Sequence, residues 1–262
     1  MKKINVTIWN EGRHEKEIEN VRKIYPNGIH GALANGLKAD DLIISTGTLD
    51  DPDQGLPDSL LNKTDVLIWW GHCAHKEVND ELVAKIKKRI LEGMGLIVLH
   101  SGHFSKIHQA ITGCSCSLKW RDVGEKERLW NIAPAHPITQ GIDESFTLPH
   151  EEMYGERFDI PEEAKVIFLG WFEGGNVFRS GYTIQRGYGK IFYFQPGHEA
   201  YPIYYDQNIL KILSNAVRWA RPVFFREMGA PRVDPLEKIY TINPNKGKDS
   251  TAILQNADGS NK

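Results

Sequence analysis

Short apolar runs recur along the first hundred residues, and segments with helical spacing separate them. The predicted strands are residues 4–9, 42–46, 65–70 and 96–99, and the predicted helices are residues 14–25, 29–37 and 78–90. Most of these strands are apolar throughout, whereas the strands of an antiparallel sheet would alternate. This rhythm is typical of a parallel sheet covered by helices on both faces. We therefore expect an α/β sandwich with a mainly parallel sheet.

The helix over residues 78–90 carries the clearest local signals. Asn79 can cap its N-terminus, Val78 and Val83 are placed as a hydrophobic staple, and Gly93 occupies the position of a left-handed C-cap.

The second half of the chain is richer in β-structure. Its predicted elements are strands at 165–169, 176–186 and 190–194 and a helix at 207–220. We expect one domain over residues 1–221. The remaining residues, 222–262, are predicted to form a C-terminal extension that is partly disordered or draped on the domain, with a short clip at 252–254.

Composition places the chain among ordinary globular proteins, with 40% hydrophobic and 25% charged residues. The net charge of −2 gives no field that would attract nucleic acid or an anionic membrane, so neither is an expected partner. Three cysteines and an N-terminus without a signal-peptide pattern predict a reducing, cytoplasmic location. No nucleotide cofactor is expected.

Two of the predicted strands end in paired histidines. His72 and His75 follow the strand at 65–70, while His100 and His103 follow the strand at 96–99. Ligands bind at the carboxyl ends of parallel strands, so these four imidazoles are expected at one edge of the sheet. They could bind a divalent metal or carry protons, and the alternative is that they hydrogen-bond and close turns.

Two further motifs carry acids and a histidine. Residues 150–156 contain Glu151, Glu152 and Glu156, which could ligate metal or move protons, although a charged helix start would look similar. Residues 195–201 place His198 and Glu199 directly after an apolar strand.

Aromatic residues near these positions suit a sugar, whose C–H face is apolar and whose hydroxyls need polar partners. The candidates for that contact are Trp69, Trp70, Trp120, Tyr154, Trp171 and Tyr201. Arg121 and Arg179 could bind a hydroxyl-rich or anionic ligand, or form surface ion pairs. Cys73 beside His72 could be imagined as a nucleophile, but a small packing residue is the preferred interpretation.

Several ordered motifs resemble the ThuA (trehalose utilization) family over about residues 4–221. They are YPNGIH at 25–30, WWGH at 69–72, GMGLIVLHSGH at 93–103, EEMYGE at 151–156, FRSG at 178–181 and QPGHE at 195–199. The resemblance implies a class I glutamine amidotransferase-like fold, which is a flavodoxin-like three-layer sandwich. Those amidotransferases place a cysteine nucleophile at the turn that corresponds to residues 99–103. The absence of cysteine there argues against glutamine hydrolysis.

The resemblance also implies sugar catabolism, with a keto-disaccharide or keto-sugar made by a partner dehydrogenase as the substrate. A metal that polarises the carbonyl, together with a His or Glu base, would isomerise or eliminate beside it.

On this basis the candidate residues are assigned as follows. The catalytic candidates, which are also the candidate ligands of Zn²⁺ or Mn²⁺, are His72, His103, Glu152 and His198. The candidate substrate-binding residues are His30, Trp70, His100, Arg121, Tyr154, Glu156, Arg179, Glu199 and Tyr201. The alternatives are a non-catalytic carbohydrate sensor and a hydrolase that uses a carboxylate pair from Glu151, Glu152, Glu156 or Glu199. A homo-oligomer is compatible with the sequence.

Overall fold

The computed structural model describes residues 3–238, and its regular elements extend from Ile4 to Ala220. The strands are β1 (Ile4–Asn10), β2 (Leu42–Thr48), β3 (Val66–Trp70), β4 (Gly95–Leu99), β5 (Lys119–Asn131), β6 (Ser145–Gly155), β7 (Lys165–Phe172), β8 (Val177–Arg186) and β9 (Gly189–Phe194). The α-helices are α1 (His14–Glu17), α2 (Glu19–Ile24), α3 (Gly28–Gly36), α4 (Asp58–Leu61), α5 (Asp80–Glu92), α6 (Lys106–Thr112) and α7 (Gln207–Ala220).

Within the described residues the strands form a single nine-stranded sheet in the order β2-β1-β3-β4-β9-β8-β7-β5-β6. The first five strands in this order, β2, β1, β3, β4 and β9, pair in parallel. All the other neighbouring pairs, from β9–β8 to β5–β6, are antiparallel. Only β5 and β8 run against the other strands of the described sheet. The predicted α/β fold is confirmed, and its parallel part is built from the apolar strands that the sequence indicates.

Helices cover both faces of the parallel strands. In one core, α3 and α7 pack against strand side chains such as Ile8, Ile68 and Ile97. In the other core, α5 and α6 pack against strand side chains such as Leu67 and Leu96. Alternate residues of each strand point to opposite layers, so both faces must be apolar. This arrangement is the predicted three-layer sandwich.

Local signals are mostly confirmed. The side chain of Asn79 accepts a hydrogen bond from the Glu81 amide and caps α5. Gly93 ends that helix with φ of +135°, outside the left-handed helical region that was predicted. The predicted helix at 14–25 is interrupted at Ile18, whose extended backbone separates α1 from α2.

The main compact unit ends at Arg226, beyond the boundary at 221 that the sequence predicts. The Arg226 amide donates to the Glu92 carbonyl, and the Phe225 ring lies 4.3 Å from the Arg89 guanidinium. The described residues after Arg226 belong to a separate unit, and the predicted clip at 252–254 lies outside the described residues. No helix within residues 3–238 is long and apolar enough to cross a bilayer.

Candidate functional site

A cavity of about 810 Å³ opens at the carboxyl ends of the parallel strands. Side chains that directly follow β3, β4 and β9 line it, namely His72, His75, Ser101, His103, His198 and Glu199. Glu152 and Tyr154 reach it from β6. The structure therefore brings together residues that are far apart in the chain at the sheet edge where the sequence predicts a site.

Three of these side chains, together with the buried His100, could hold one metal ion. The ligand atoms of His72, His100, Glu152 and His198 all lie within 4.8 Å of one another, and the last three residues are buried. The predicted set contained His103 in place of His100. The turn after β4 thus contributes its first histidine to the cluster instead of its second.

His100 is held in an orientation that suits ligation. Its backbone has φ of +49°, a left-handed conformation that is uncommon for histidine, directly where β4 ends. Its Nδ1 lies 2.9 Å from the Gln195 carbonyl oxygen, which can only accept, so Nδ1 carries a proton. In the neutral ring Nε2 then has a free lone pair, and this atom lies 3.1 Å from Glu152 Oε2.

The charges of His100 and Glu152 support each other. Burial disfavours the charged imidazole, but the neighbouring carboxylates outweigh it and raise the pKa of His100 to about 9. Burial likewise opposes ionisation of Glu152, yet contact with His100 keeps the pKa of this carboxyl below its usual value. Glu152 Oε2 accepts no well-aligned hydrogen bond within residues 3–238. Its contact with His100 Nε2 at 3.1 Å is therefore a charge interaction, and the oxygen can still accept a hydrogen bond or bind a cation.

Glu151 is structural, although it neighbours the cluster. Its carboxylate accepts the amide N–H groups of Glu152, Gly197 and His198, and so fixes the turn after β9 against β6. Burial raises the pKa of Glu151 to about 7 despite these bonds. Gly197 is required in that turn because its φ is +150° and a Cβ would lie 2.0 Å from the Tyr204 hydroxyl.

The turn that carries His72 depends on Glu11, a residue that the sequence analysis missed. The Glu11 carboxylate accepts the amide N–H groups of His72, Cys73 and Ala74 at 2.7–3.0 Å. Burial opposes its ionisation, but the three amides hold its pKa below the usual value. The signal was a glutamate between Asn10 and Gly12, directly after an apolar strand.

His198 sits in a different hydrogen-bonded state from His100. Its Nδ1 accepts the Ala200 amide N–H, so the proton of the neutral ring is on Nε2. That atom faces the carboxylates of Asp122 and Glu199, each at 3.8 Å. Ligation through Nε2 would release this proton, as metal binding to histidine generally does when it is protonated. The Tyr201 ring lies at a tilt beside the His198 ring, with centroids 5.4 Å apart, and the Tyr201 hydroxyl donates to Asp122.

His103 lines the cavity but does not belong to the group of four. Its Nδ1 donates to the Cys116 carbonyl at 2.7 Å, and burial lowers its pKa to about 3. It is therefore a neutral ring whose Nε2 can accept a hydrogen bond. Burial and Glu11 raise the pKa of Cys73 to about 12, so this thiol is not an activated nucleophile.

The remaining candidates are not among the potential metal ligands. Trp70 is buried beside the cluster, with its ring stacked on that of His72 at a centroid distance of 6.2 Å, and it donates to the Gly197 carbonyl. His30 contacts Asn10. Arg121 pairs with Glu125.

Glu156 and Arg179 pair with each other at 2.8 Å and line a different cavity, of about 570 Å³. This cavity lies on the antiparallel part of the sheet. The two charges therefore compensate each other at this second cavity. The spacing of the residues in the sequence does not reveal that they lie apart from the histidine cluster.

The donor set fits a divalent cation. Three imidazoles and a carboxylate are ligands that Zn²⁺ accepts, and carboxylates also suit Mn²⁺. Glu152 Oε2 is a buried acceptor without a hydrogen-bond partner among residues 3–238, and a bound cation would satisfy it.

Comparison with known proteins identifies this architecture. A family model described as ThuA, trehalose utilisation, matches residues 5–220. No curated protein matches the sequence.

Solved structures with the same fold include a ThuA-like protein from Bacteroides uniformis, at 13% identity and a TM-score of 0.62, with 83% of this chain and 91% of that chain covered. A cytoplasmic protein from Salmonella typhimurium LT2 aligns at 11% identity and a TM-score of 0.57, covering 83% of this chain and 100% of that chain. PurLQS from Thermotoga maritima aligns at 14% identity and a TM-score of 0.52, covering 84% of this chain and 99% of that chain. These likenesses establish the expected class I glutamine amidotransferase-like fold.

Proposed function

The chain belongs to the ThuA (trehalose utilisation) family, and on this premise we propose that it is an enzyme acting on a keto-disaccharide or keto-sugar with the help of a divalent cation. Family membership supports a role related to sugar metabolism. The observation that carries the catalytic part of the proposal is the clustering of His72, Glu152 and His198, which line one cavity, with the buried His100 beside them.

The cavity has the character of a sugar site. Its volume of about 810 Å³ lies within the range of roughly 300–1,000 Å³ usual for small-molecule sites. Trp120 and Tyr154 offer aromatic surface, and the hydroxyls of Ser101 and Tyr154 lie 2.7 Å apart. A sugar needs this combination of apolar faces and hydroxyl partners.

The bound cation would polarise the substrate carbonyl and make the neighbouring C–H more acidic. His100, which directly follows β4, and Glu152, which lies on β6, would hold the cation. Neutral His103 would accept a hydrogen bond from a sugar hydroxyl and so orient the ring. Because His103 cannot be protonated near neutral pH, it serves positioning rather than proton donation.

One observation favours a second candidate, acid–base catalysis without metal. His100 and Glu152 lie 3.1 Å apart as an ion pair, and a pKa of about 9 keeps the imidazole protonated at neutral pH. A protonated His100 could itself donate a hydrogen bond to the substrate carbonyl.

Metal analysis and turnover together test the proposal. The protein, purified without chelator, should contain Zn²⁺ or Mn²⁺ and should convert a 3-keto-disaccharide to a product detectable by mass spectrometry. His100→Gln should lose both properties, whereas His150→Gln, an exposed histidine outside the cluster, should retain them.

The alternatives give different results. Full activity after chelator treatment would favour metal-free acid–base catalysis. Binding of the sugar without any turnover would favour a sensor.

A further inference from the structure

A second group of potential ligands adjoins the first. The ligand atoms of His14, His72 and Glu199 also lie within 4.8 Å of one another. His14 Nε2 is 3.4 Å from Glu199 Oε1, and His72 Nε2 is 4.0 Å from Glu199 Oε2. His14 was not predicted as a site residue, because it lies on the short helix α1 rather than at a strand end.

Glu199 is poorly satisfied by its protein neighbours. The residue is only 4% exposed, and its Oε2 is buried without a hydrogen-bond partner among residues 3–238. The two nearby imidazoles approach it without forming a hydrogen bond. A buried carboxylate in this state is costly unless a cation or another charge compensates it.

His14 is oriented as a ligand would be. Its Nε2 faces Glu199, whereas its Nδ1 lies 3.8 Å from Glu11 Oε1, too far for a hydrogen bond, and is buried without a hydrogen-bond partner among residues 3–238. In metal-bound histidines the second ring nitrogen usually donates to a carboxylate, a carbonyl or water, and Glu11 is the carboxylate on that side of His14. Glu11 is itself fixed by three backbone amides, so it provides a rigid support for this orientation.

We propose that the cavity holds two adjacent divalent cations, the first bound by His100, His198 and Glu152 and the second by His14, His72 and Glu199. In this assignment each side chain is used once, and each cation receives two imidazoles and one carboxylate. Glu199 lies between the two sets, since its Oε1 is also 3.8 Å from His198 Nε2. The inference rests on the proposed function, because the first set belongs to the cation site described there.

The pair of cations indicates the substrate class. Two divalent cations carry +4, and the ligand carboxylates of Glu152 and Glu199 supply −2. The carboxylates of Glu11 and Asp122, each 3.8 Å from a ligand imidazole, reduce the remaining positive charge further. Two adjacent cations would favour an α-hydroxy ketone that binds through its carbonyl and adjacent hydroxyl oxygens, both of which are electron-rich. Two-metal sites stabilise developing negative charge on two oxygens in this way.

Metal stoichiometry of the full-length protein tests the inference. After dialysis against Mn²⁺ and removal of free ion, we expect two Mn²⁺ per chain and an electron paramagnetic resonance spectrum of an exchange-coupled pair. His14→Gln and Glu199→Gln should each reduce the content to one Mn²⁺ per chain and abolish the coupling. His150→Gln, the matched control, should retain both ions.

The outcomes separate this inference from the proposed function. One Mn²⁺ per chain, unchanged in His14→Gln and Glu199→Gln, would overturn the second site and leave the first intact. No bound Mn²⁺ or Zn²⁺ would overturn both. The spectrum of the unmodified protein decides the question even if a variant fails to fold, since an isolated ion and a coupled pair give different signals.

Discussion

At the scale of single residues, Glu11 links the end of one strand to the turn after another. Its carboxylate accepts three amide N–H groups of the partly buried turn after β3, which would otherwise lack this partner. Each such unsatisfied donor costs about 1–3 kcal/mol, so the side chain is important for stability as well as for the position of His72.

We therefore predict that Glu11→Ala lowers the free energy of unfolding by about 3–5 kcal/mol and reduces metal content. Urea denaturation followed by circular dichroism measures the first effect, and elemental analysis the second. Glu19→Ala, which removes an exposed glutamate, should change the free energy of unfolding by less than about 0.5 kcal/mol. A loss below about 1 kcal/mol for Glu11→Ala would contradict the role assigned to the carboxylate.

The residue scale also shows where sequence reasoning reaches its limit. The motif at residues 100–103 predicted functional histidines in the turn after β4, and the structure places His100 and His103 there. It could not distinguish His100 from His103, because the choice depends on the left-handed backbone at His100 and on which carbonyl each Nδ1 meets. These are tertiary features, and both histidines are equally plausible from spacing alone.

At the scale of elements, His108 of helix α6 links this helix to strand β8. Its Nδ1 donates to the His103 carbonyl, so its Nε2 accepts the Tyr182 hydroxyl of β8 at 2.7 Å. Burial lowers the pKa of His108 to about 4, against about 6.5 in an unfolded chain. Below pH 6.5 the unfolded state therefore binds a proton that the folded state does not, and stability falls as the pH decreases.

We predict that His108 alone contributes about 2 kcal/mol to the loss of stability between about pH 7 and pH 4.5. His108→Gln should be less stable than the parent at neutral pH but should show a shallower decline on acidification. Urea denaturation series at several pH values measure both slopes. Parallel slopes for the two proteins would show that His108 does not titrate as the structure indicates.

Elements differed in how well the sequence indicated them. The parallel strands β3 and β4 were predicted because they are buried on both faces and hence apolar throughout, whereas β1 was predicted from its alternating pattern. The sequence analysis did not identify β5 and β6, because residues such as Lys119, Arg121 and Glu125 place charges along a strand that is largely solvent-exposed in its first half. For residues 150–156 a charged helix start was accordingly considered, whereas residues 150–155 belong to β6, which brings Glu152 to the site.

At the scale of the whole molecule, the main unit includes a short segment past its last helix. Residues 221–226 return along α5, where Phe224 approaches Gly93 and the Arg226 amide bonds the Glu92 carbonyl. A chain boundary drawn at the end of α7 removes these contacts.

A chain truncated after Ala220 is predicted to be less stable than one truncated after Arg226 by about 1–2 kcal/mol. The difference combines one lost hydrogen bond with the lost cation–π contact between Arg89 and Phe225. Thermal and urea unfolding of the two truncated chains under identical conditions measure this difference. Equal stabilities would place the functional boundary at 221, as the sequence analysis had it.

The architecture as a whole was accessible from sequence, whereas the chemistry was accessible only in part. Strand direction determined which edge carries the site, and that edge holds His72, Glu152 and His198 as expected. Glu156 and Arg179 instead pair with each other at another cavity, because β8 places Arg179 beside the end of β6. Pairing of this kind depends on antiparallel neighbours that the sequence did not specify.

The candidate ligands come from five separate stretches of chain, represented by His14, His72, His100, Glu152 and the pair His198 and Glu199. An unfolded chain cannot hold them together, so a cation would bind only the native protein. Binding would then add about 2.7 kcal/mol to the stability when the free cation exceeds its Kd a hundredfold. In a metal-starved cell the protein would lose abundance as well as activity, since proteases remove unfolded chains.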